Sequence, residues 1–77
     1  TAYESNSTQE DLHLSLSDRE LEVLKLIASG KTITEISELI TLSAGTVSTY
    51  RKRLMEKMNM KTNSELTYYA IKTGLVL

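Results

Sequence analysis

Apolar residues recur along most of this chain at the three- and four-residue spacing of amphipathic helices. A first helix is predicted from Ser17, where Ser17 and Glu20 form a capping box, to Gly30. Its apolar face consists of Leu21, Val23, Leu24, Leu26, Ile27 and Ala28. Glu20 falls inside this face, so we expect a structural carboxylate rather than a catalytic one. Its expected partner is the cap amide, and a basic residue of a later helix is a second candidate.

Two further helices follow with a very short connection between them. The first covers residues 33–40, and its predicted inner face consists of Ile33, Ile36, Leu39 and Ile40. The next covers residues 44–58 and starts after Ser43, whose hydroxyl is placed to cap the amide of Gly45 or Thr46. Two helices joined by so short a turn cross steeply, which is the helix–turn–helix arrangement.

The outer face of helix 44–58 has a composition suited to nucleic acid. On a helical wheel Val47, Leu54 and Met58 share the inner side, and Tyr50 and Arg51 lie at its shoulders. The opposite side holds Ser48, Thr49, Lys52, Arg53 and Glu56. Small hydroxyl groups beside long cations allow a helix to enter the major groove and to donate to base edges and phosphates. This face therefore predicts a DNA-reading helix.

A fourth helix is predicted from Asn63, with Thr62 as its cap, to Gly74, and residues 75–77 are expected to fold back on it. Its inner face consists of Leu66, Tyr69, Ala70 and Thr73. Tyr68 and Ile71, with Ser64 and Thr67 beside them, form a second strip on roughly the other side, which is a candidate dimer contact. The alternative is two scattered surface apolar residues. The predicted fold is all-α, a four-helix domain that contains a helix–turn–helix.

Length and composition restrict the chain to one small domain. It has 77 residues, 40% of them hydrophobic, and no Pro, Cys or Trp, so one core held by ordinary packing is expected. Residues 1–14 are polar and acidic without a helical repeat, and we predict a linker or disordered lead-in there and the folded domain over residues 15–77. Because the chain starts without Met, we expect it to be a piece of a longer protein with a missing N-terminal domain.

Composition also excludes several function classes. With no Cys and His13 as the single histidine, neither a metal site nor a cofactor is predicted, and no nucleophile–base pair or phosphate loop indicates an enzyme. No apolar run is long enough to span a bilayer, so we expect a cytoplasmic protein with no membrane partner. Residues 46–77 carry six Lys and Arg against two Glu, which indicates an anionic partner or, alternatively, a solvated basic surface.

Residues 16–77 resemble the LuxR-type helix–turn–helix domain of NarL/FixJ-class response regulators and quorum-sensing regulators. The matching stretches keep the order and spacing of the family over about four fifths of the chain. They are residues 16–24, 30–32, 35–37, 42–43, 46–51, 57–58 and 70–76.

The resemblance implies roles for individual residues. Ser48, Thr49 and Lys52 occupy positions that the family uses to face bases. Positions that it places near phosphates are taken by Thr46, Tyr50, Arg53, Lys57 and Lys61. The resemblance also implies a homodimer on double-stranded DNA through the fourth helix, at Ser64, Thr67, Tyr68 and Ile71. RNA polymerase is a further candidate partner for such a regulator.

Three functions are carried forward from the sequence. The first is a sequence-specific transcriptional regulator, the C-terminal output domain of a two-component response regulator whose receiver domain is missing here. The second is a protein-interaction or sigma-factor-like helix–turn–helix with weak DNA affinity, motivated by the acidic overall charge and by the departure of Ala44 and Gly45 from the family pattern. The third is the output domain of a ligand-sensing quorum regulator.

Overall fold

The computed structural model describes residues 12–76, with the side chain of Leu12 left out. After a 3-10 turn at Leu12–Ser15, the chain forms helices α1 (Asp18–Ala28), α2 (Ile33–Leu39), α3 (Ala44–Met58) and α4 (Asn63–Lys72). Residues 12–76 contain no strand. The all-α prediction with a helix–turn–helix at α2 and α3 is therefore confirmed.

Local hydrogen bonds start each helix where the sequence predicts. Capping boxes are present at Ser17, Thr32 and Thr62, each paired with a Glu three residues later. The Ser43 hydroxyl accepts from the amide of Thr46 at 3.1 Å, one of the two amides predicted for it. After α1 the chain turns at Gly30, whose φ of +92° favours a residue without a Cβ.

The core is arranged around α1. Helices α3 and α4 both pack mainly on α1, and α2 packs mainly on α3. Seven large side chains are almost completely buried: Val23, Leu24, Ile36, Val47, Leu54, Met58 and Leu66. Each contributes about 1.5–3 kcal/mol by leaving water, so a few such contacts decide how α3 is oriented. Tyr69 and Ala70 are buried on α4 as predicted, and Leu75 folds back against the core, while Leu77 lies outside the described residues.

The predicted inner face of α2 is wrong at one position. Ile33, Ile36 and Ile40 face the core, but Leu39 is 58% exposed. At roughly 100° per residue Leu39 lies about 90° away from the centre of the other three, so a seven-residue helix cannot bury it with them. The helix also ends at Leu39, and Ile40 serves as its C-cap instead of its last turn.

The segment before α1 is attached to α4. The amide of His13 donates to the Tyr69 hydroxyl oxygen at 3.1 Å, and Nδ1 of His13 lies 2.8 Å from the same oxygen. His13, which lies within the predicted lead-in, is thus in contact with the folded domain. The rest of the predicted lead-in, residues 1–11, lies outside the described residues. None of the helices described is long and apolar enough to cross a membrane.

Candidate nucleic-acid interface

The rotation of α3 about its own axis is fixed by its buried side. Val47, Leu54 and Met58 are at most 1% exposed, and Met55 is also buried. Because these residues cannot leave the core without a large loss of packing, the opposite side of α3 must face outward. The wheel predicted the first three of these buried positions, and it did not place Met55.

The predicted DNA-reading side of α3 is exposed. Ser48, Thr49, Lys52 and Arg53 all lie on it. The Thr49 hydroxyl donates to the carbonyl of Gly45 at 3.1 Å, so its oxygen can still accept a hydrogen bond. Lys52 and Arg53 form no ion pair within residues 12–76. The surface therefore offers two uncompensated cations beside two small hydroxyl residues.

Two of the predicted phosphate-facing residues lie at the edge of this side. Thr46 is half-buried in the first turn of α3, and its hydroxyl lies 2.9 Å from that of Ser43. Tyr50 is half-buried and packs against the core. Both side chains are thus held in place rather than extended into solvent, which lowers the entropy lost when they meet a ligand.

Lys57, another predicted phosphate-facing residue, is already bound within the domain. Its Nζ lies 2.6 Å from Oε1 of Glu20, a residue that is 3% exposed, and 3.5 Å from the carbonyl of Ser15. Glu20 also accepts from the Ser17 amide at 2.8 Å, so both partners predicted for this carboxylate are present. A phosphate at Lys57 would have to compete with the buried carboxylate.

The pKa of Glu20 reflects these contacts. Burial by itself raises the pKa of this carboxyl group, but the hydrogen bond and charge of Lys57, together with the Ser17 amide and hydroxyl, outweigh burial and lower it below its ordinary value. Glu20 therefore stays ionised and holds Lys57 as its counter-ion.

Lys61 lies in the connection between α3 and α4 with an exposed side chain. Its amide donates to Oε1 of Glu65 at 2.9 Å, and this bond, with those from Thr62, lowers the pKa of Glu65. The backbone at Lys61 is thereby fixed at the start of α4, while its ammonium group makes no ion pair among the described residues.

On the helical wheel Arg51 lies at the shoulder of the inner side of α3, and the family resemblance implies no site role for it. The structure leaves it half-exposed, and its Nε donates to Oδ1 of Asn63, the first residue of α4, at 2.9 Å. The sequence gives no signal for this contact, since Arg51 lies about two turns before the end of α3 and Asn63 begins the next helix. Their pairing depends on how both helices pack on α1.

The predicted dimer strip is exposed on α4. Tyr68 is 68% and Ile71 is 55% exposed, Ser64 is exposed, and Thr67 is half-buried with its hydroxyl donating to the Asn63 carbonyl at 2.9 Å. A shallow depression continues from this strip toward the end of α1 and the start of α2. It is lined by Ile27, Gly30, Lys31 and Thr32 in addition to the strip and Asn63.

Comparison with known proteins identifies the family of this chain. The pattern described as "Bacterial regulatory proteins, luxR family" matches residues 14–70. The chain belongs to this family, and its α2–α3 unit is the helix–turn–helix of a DNA-binding regulator domain.

Individual relatives are similar over most of the chain. It is 46% identical over 61 residues to response regulator UvrY of Escherichia coli K12, covering 79% of this chain and 28% of that protein. It is 41% identical over 76 residues to oxygen regulatory protein NreC of Staphylococcus carnosus, covering 99% of this chain and 35% of NreC. The chain is 40% identical over 77 residues to NreC of Staphylococcus aureus MRSA252, covering 94% of this chain and 36% of that protein. The chain thus spans about a third of the length of these relatives.

Proposed function

We propose that this chain is the sequence-specific DNA-binding output domain of a two-component response regulator, which reads the major groove with α3 and binds as a dimer in the cytoplasm. The observation that carries the proposal is the outer side of α3. Capped at Ser43 and fixed by its buried side, α3 exposes hydroxyl groups beside Lys52 and Arg53, which no acid neutralises in the part of the chain described. That combination suits contact with bases and phosphates.

In this proposal Ser48, Thr49 and Lys52 face the bases. They lie on the exposed side of α3, opposite the buried Val47. Lys52 can donate to O6 and N7 of guanine, and the short side chains of Ser48 and Thr49 allow α3 to approach the floor of the groove.

Thr46, Tyr50, Arg53 and Lys61 are proposed to contact phosphates. Thr46 and Tyr50 are positioned by local packing and hydrogen bonding, and Arg53 and Lys61 carry exposed charges. We leave Lys57 out of this group because its ammonium group is bound to Glu20.

Dimerisation is proposed through the strip of Ser64, Thr67, Tyr68 and Ile71. Tyr68 and Ile71 are two of the four large hydrophobic side chains found exposed in residues 12–76, and they are neighbours on α4. A strip of this size buries little surface, so DNA with two half-sites is expected to stabilise the pair.

The response-regulator context is supported by the relatives. UvrY is called a response regulator and NreC an oxygen regulatory protein, and this chain corresponds to about a third of each. The name of UvrY favours this context over that of a ligand-sensing quorum regulator.

The first test is selection of duplexes from a random pool by the 77-residue chain, followed by fluorescence anisotropy across a salt series. Binding that falls steeply with salt, together with a recovered motif of two half-sites, is the expected result. Failure to bind any duplex at low salt would refute the proposal.

Two matched lysine variants then separate base contacts from phosphate contacts. Lys52→Ala is expected to weaken binding to the selected duplex by about 1–3 kcal/mol and to relax its base preference. Lys61→Ala should weaken all duplexes alike and reduce the salt slope by about one. Equal losses on selected and random DNA for Lys52→Ala would contradict its base-facing role.

The dimer strip is tested by Ile71→Glu. We expect weaker binding to a duplex with two half-sites and unchanged binding to a duplex with one. Leu14→Glu is the matched control, since it adds the same charge at a leucine that is 69% exposed on the turn before α1. An equal loss on both duplexes would contradict the assignment of this strip.

A further inference from the structure

Arg51 lies on one flank of the DNA-reading side of α3. At roughly 100° per residue, Ser48, Thr49 and Lys52 define the centre of that side, with Arg51 and Arg53 each about 100° away in opposite directions. The major groove is about 12 Å wide and a helix with its side chains is about 10–12 Å across, so both flanks of an inserted helix face a phosphate backbone. Arg53 is assigned to one flank, and Arg51 occupies the other.

Asn63 orients the Arg51 side chain without neutralising it. The bond from Nε to Oδ1 of Asn63 is 2.9 Å long, and an amide oxygen carries no charge. Only one of the five N–H groups of Arg51 is used, and within residues 12–76 the two Nη groups donate to no other protein atom. Two parallel Nη donors in a fixed plane match the geometry of a phosphate group.

Asn63, the acceptor of this hydrogen bond, belongs to a different helix from Arg51. Asn63 is the first residue of α4, and α3 and α4 each pack mainly on α1 rather than on each other. The guanidinium is therefore held from both sides, by its own stem on α3 and by Asn63 on α4. A side chain held in this way loses less rotamer freedom on binding than a free surface arginine.

We propose that Arg51 is a phosphate-binding residue, oriented by Asn63, on the flank of α3 opposite Arg53. This inference rests on the proposed function, because it requires α3 to enter the major groove. The proposed interface thereby gains a cation, Arg51, that the helical wheel places at the shoulder of the inner side of α3.

The experiment measures binding of the 77-residue chain to the selected duplex and to a random duplex across a salt series. Arg51→Gln is expected to weaken both complexes alike, by about tenfold, and to lower the salt slope by about 0.9, the value for one phosphate contact. Asn63→Ala keeps the charge, so its salt slope should stay unchanged while affinity falls about two- to fivefold through loss of orientation. Arg51→Lys should keep the slope and lose part of the affinity, because lysine has no fork of donors.

Phosphate scanning locates the contact. Neutral methylphosphonate groups are placed one at a time along the selected duplex. One position should weaken the wild-type chain and leave Arg51→Gln unaffected, because that variant has already lost the contact. Arg19→Gln is the matched control, since Arg19 is an exposed arginine paired with Glu22 on α1, and it should change neither slope nor affinity.

The outcomes separate this inference from the proposed function. If the wild-type chain binds no duplex, the proposed function fails and this inference fails with it. If the wild type binds and Lys52→Ala weakens it, but Arg51→Gln keeps the full salt slope, the role of Arg51 alone is overturned. A loss restricted to duplexes with two half-sites would also overturn it, since the pair would then position α4 for dimerisation. Far-UV circular dichroism verifies that each variant is folded, and Arg51→Lys serves as the fold-preserving variant.

Discussion

The pair between Glu20 and Lys57 joins α1 to α3, and Lys57→Met removes its cation while keeping most of the side-chain volume. The carboxylate of Glu20 is then left almost completely buried without a cation beside it. The backbone amide of Ser17 still donates a hydrogen bond to it. Burial raises the pKa of Glu20, and the variant loses the contact that counters burial most strongly. We expect Lys57→Met to destabilise the fold.

The magnitude follows from how much of the pair is solvated. Breaking a fully buried pair by removing one partner costs about 3–5 kcal/mol. Here the Glu20 side chain is 4% exposed and that of Lys57 is 42% exposed, so part of the charge of Lys57 is already screened by water. The Ser17 amide also continues to bind the carboxylate. We therefore expect a loss of about 2 kcal/mol at neutral pH, or roughly 10 °C in Tm for a domain of this size.

The cost of this substitution should depend on pH. In the folded wild type the pKa of Glu20 lies below its ordinary value of 4.5, so the pair stabilises the fold above that pH, and its contribution is lost as the pH falls through the folded value. Below the folded pKa, Glu20 is protonated with or without Lys57. The difference in stability between wild type and Lys57→Met should therefore shrink toward zero in acid.

Urea unfolding followed by far-UV circular dichroism at neutral and acidic pH measures both effects. Lys52→Met is the matched control, because Lys52 is exposed and forms no ion pair in the described part of the chain, and we expect its free energy of unfolding to stay within about 0.5 kcal/mol of wild type. A loss below about 0.5 kcal/mol for Lys57→Met, or a loss that is the same at both pH values, would refute this account of the pair.

Three further predictions concern the helix–turn–helix. Thr41 has a φ of +58°, a conformation that costs a residue with a Cβ about 1–2 kcal/mol. Glycine removes this strain but makes the unfolded chain more flexible, so Thr41→Gly should raise the free energy of unfolding by a net amount of about 0.5–1 kcal/mol. A lower Tm would contradict this. Ser43→Ala removes the cap of α3 and should lower the free energy of unfolding by about 1 kcal/mol, and no change would mean that the cap contributes nothing. Leu39→Gln should change it by less than about 0.5 kcal/mol, whereas Ile36→Ala should cost about 2–5 kcal/mol; similar effects would contradict the observed orientation of α2.

The parts of the fold that depend on local signals could be predicted from the sequence. Helix α3 has the predicted bounds, and Ser17, Ser43 and Thr62 are the predicted caps. A cap needs only a side chain and an amide three residues away, and a buried face needs only a regular spacing over several turns. Both signals are contained within one helix, so no knowledge of the other helices is required to find them.

The parts that depend on contacts between helices could not be predicted from the pattern of one helix alone. Leu39 shares the apolar character of its neighbours on α2, and only the packing direction of α2 on α3 leaves it outside. Lys57 and Glu20 are 37 positions apart in the sequence, and Arg51 and Asn63 are 12 positions apart. For Glu20 the sequence indicated that a partner was needed, because a carboxylate among apolar residues must be compensated, but it did not say which lysine or arginine would supply it.

These contacts between helices change how the positive charge of the C-terminal half is interpreted. Residues 46–77 carry six cations, but Lys57 is bound to a buried carboxylate and Lys72 lies 5.9 Å from the centre of the Tyr68 ring on α4. The remaining four lie on α3 and in the connection that follows it, and none of them forms an ion pair within residues 12–76. Lys57 therefore joins α3 to α1, while the other four cations leave the exposed surface of α3 and of the connection after it positively charged.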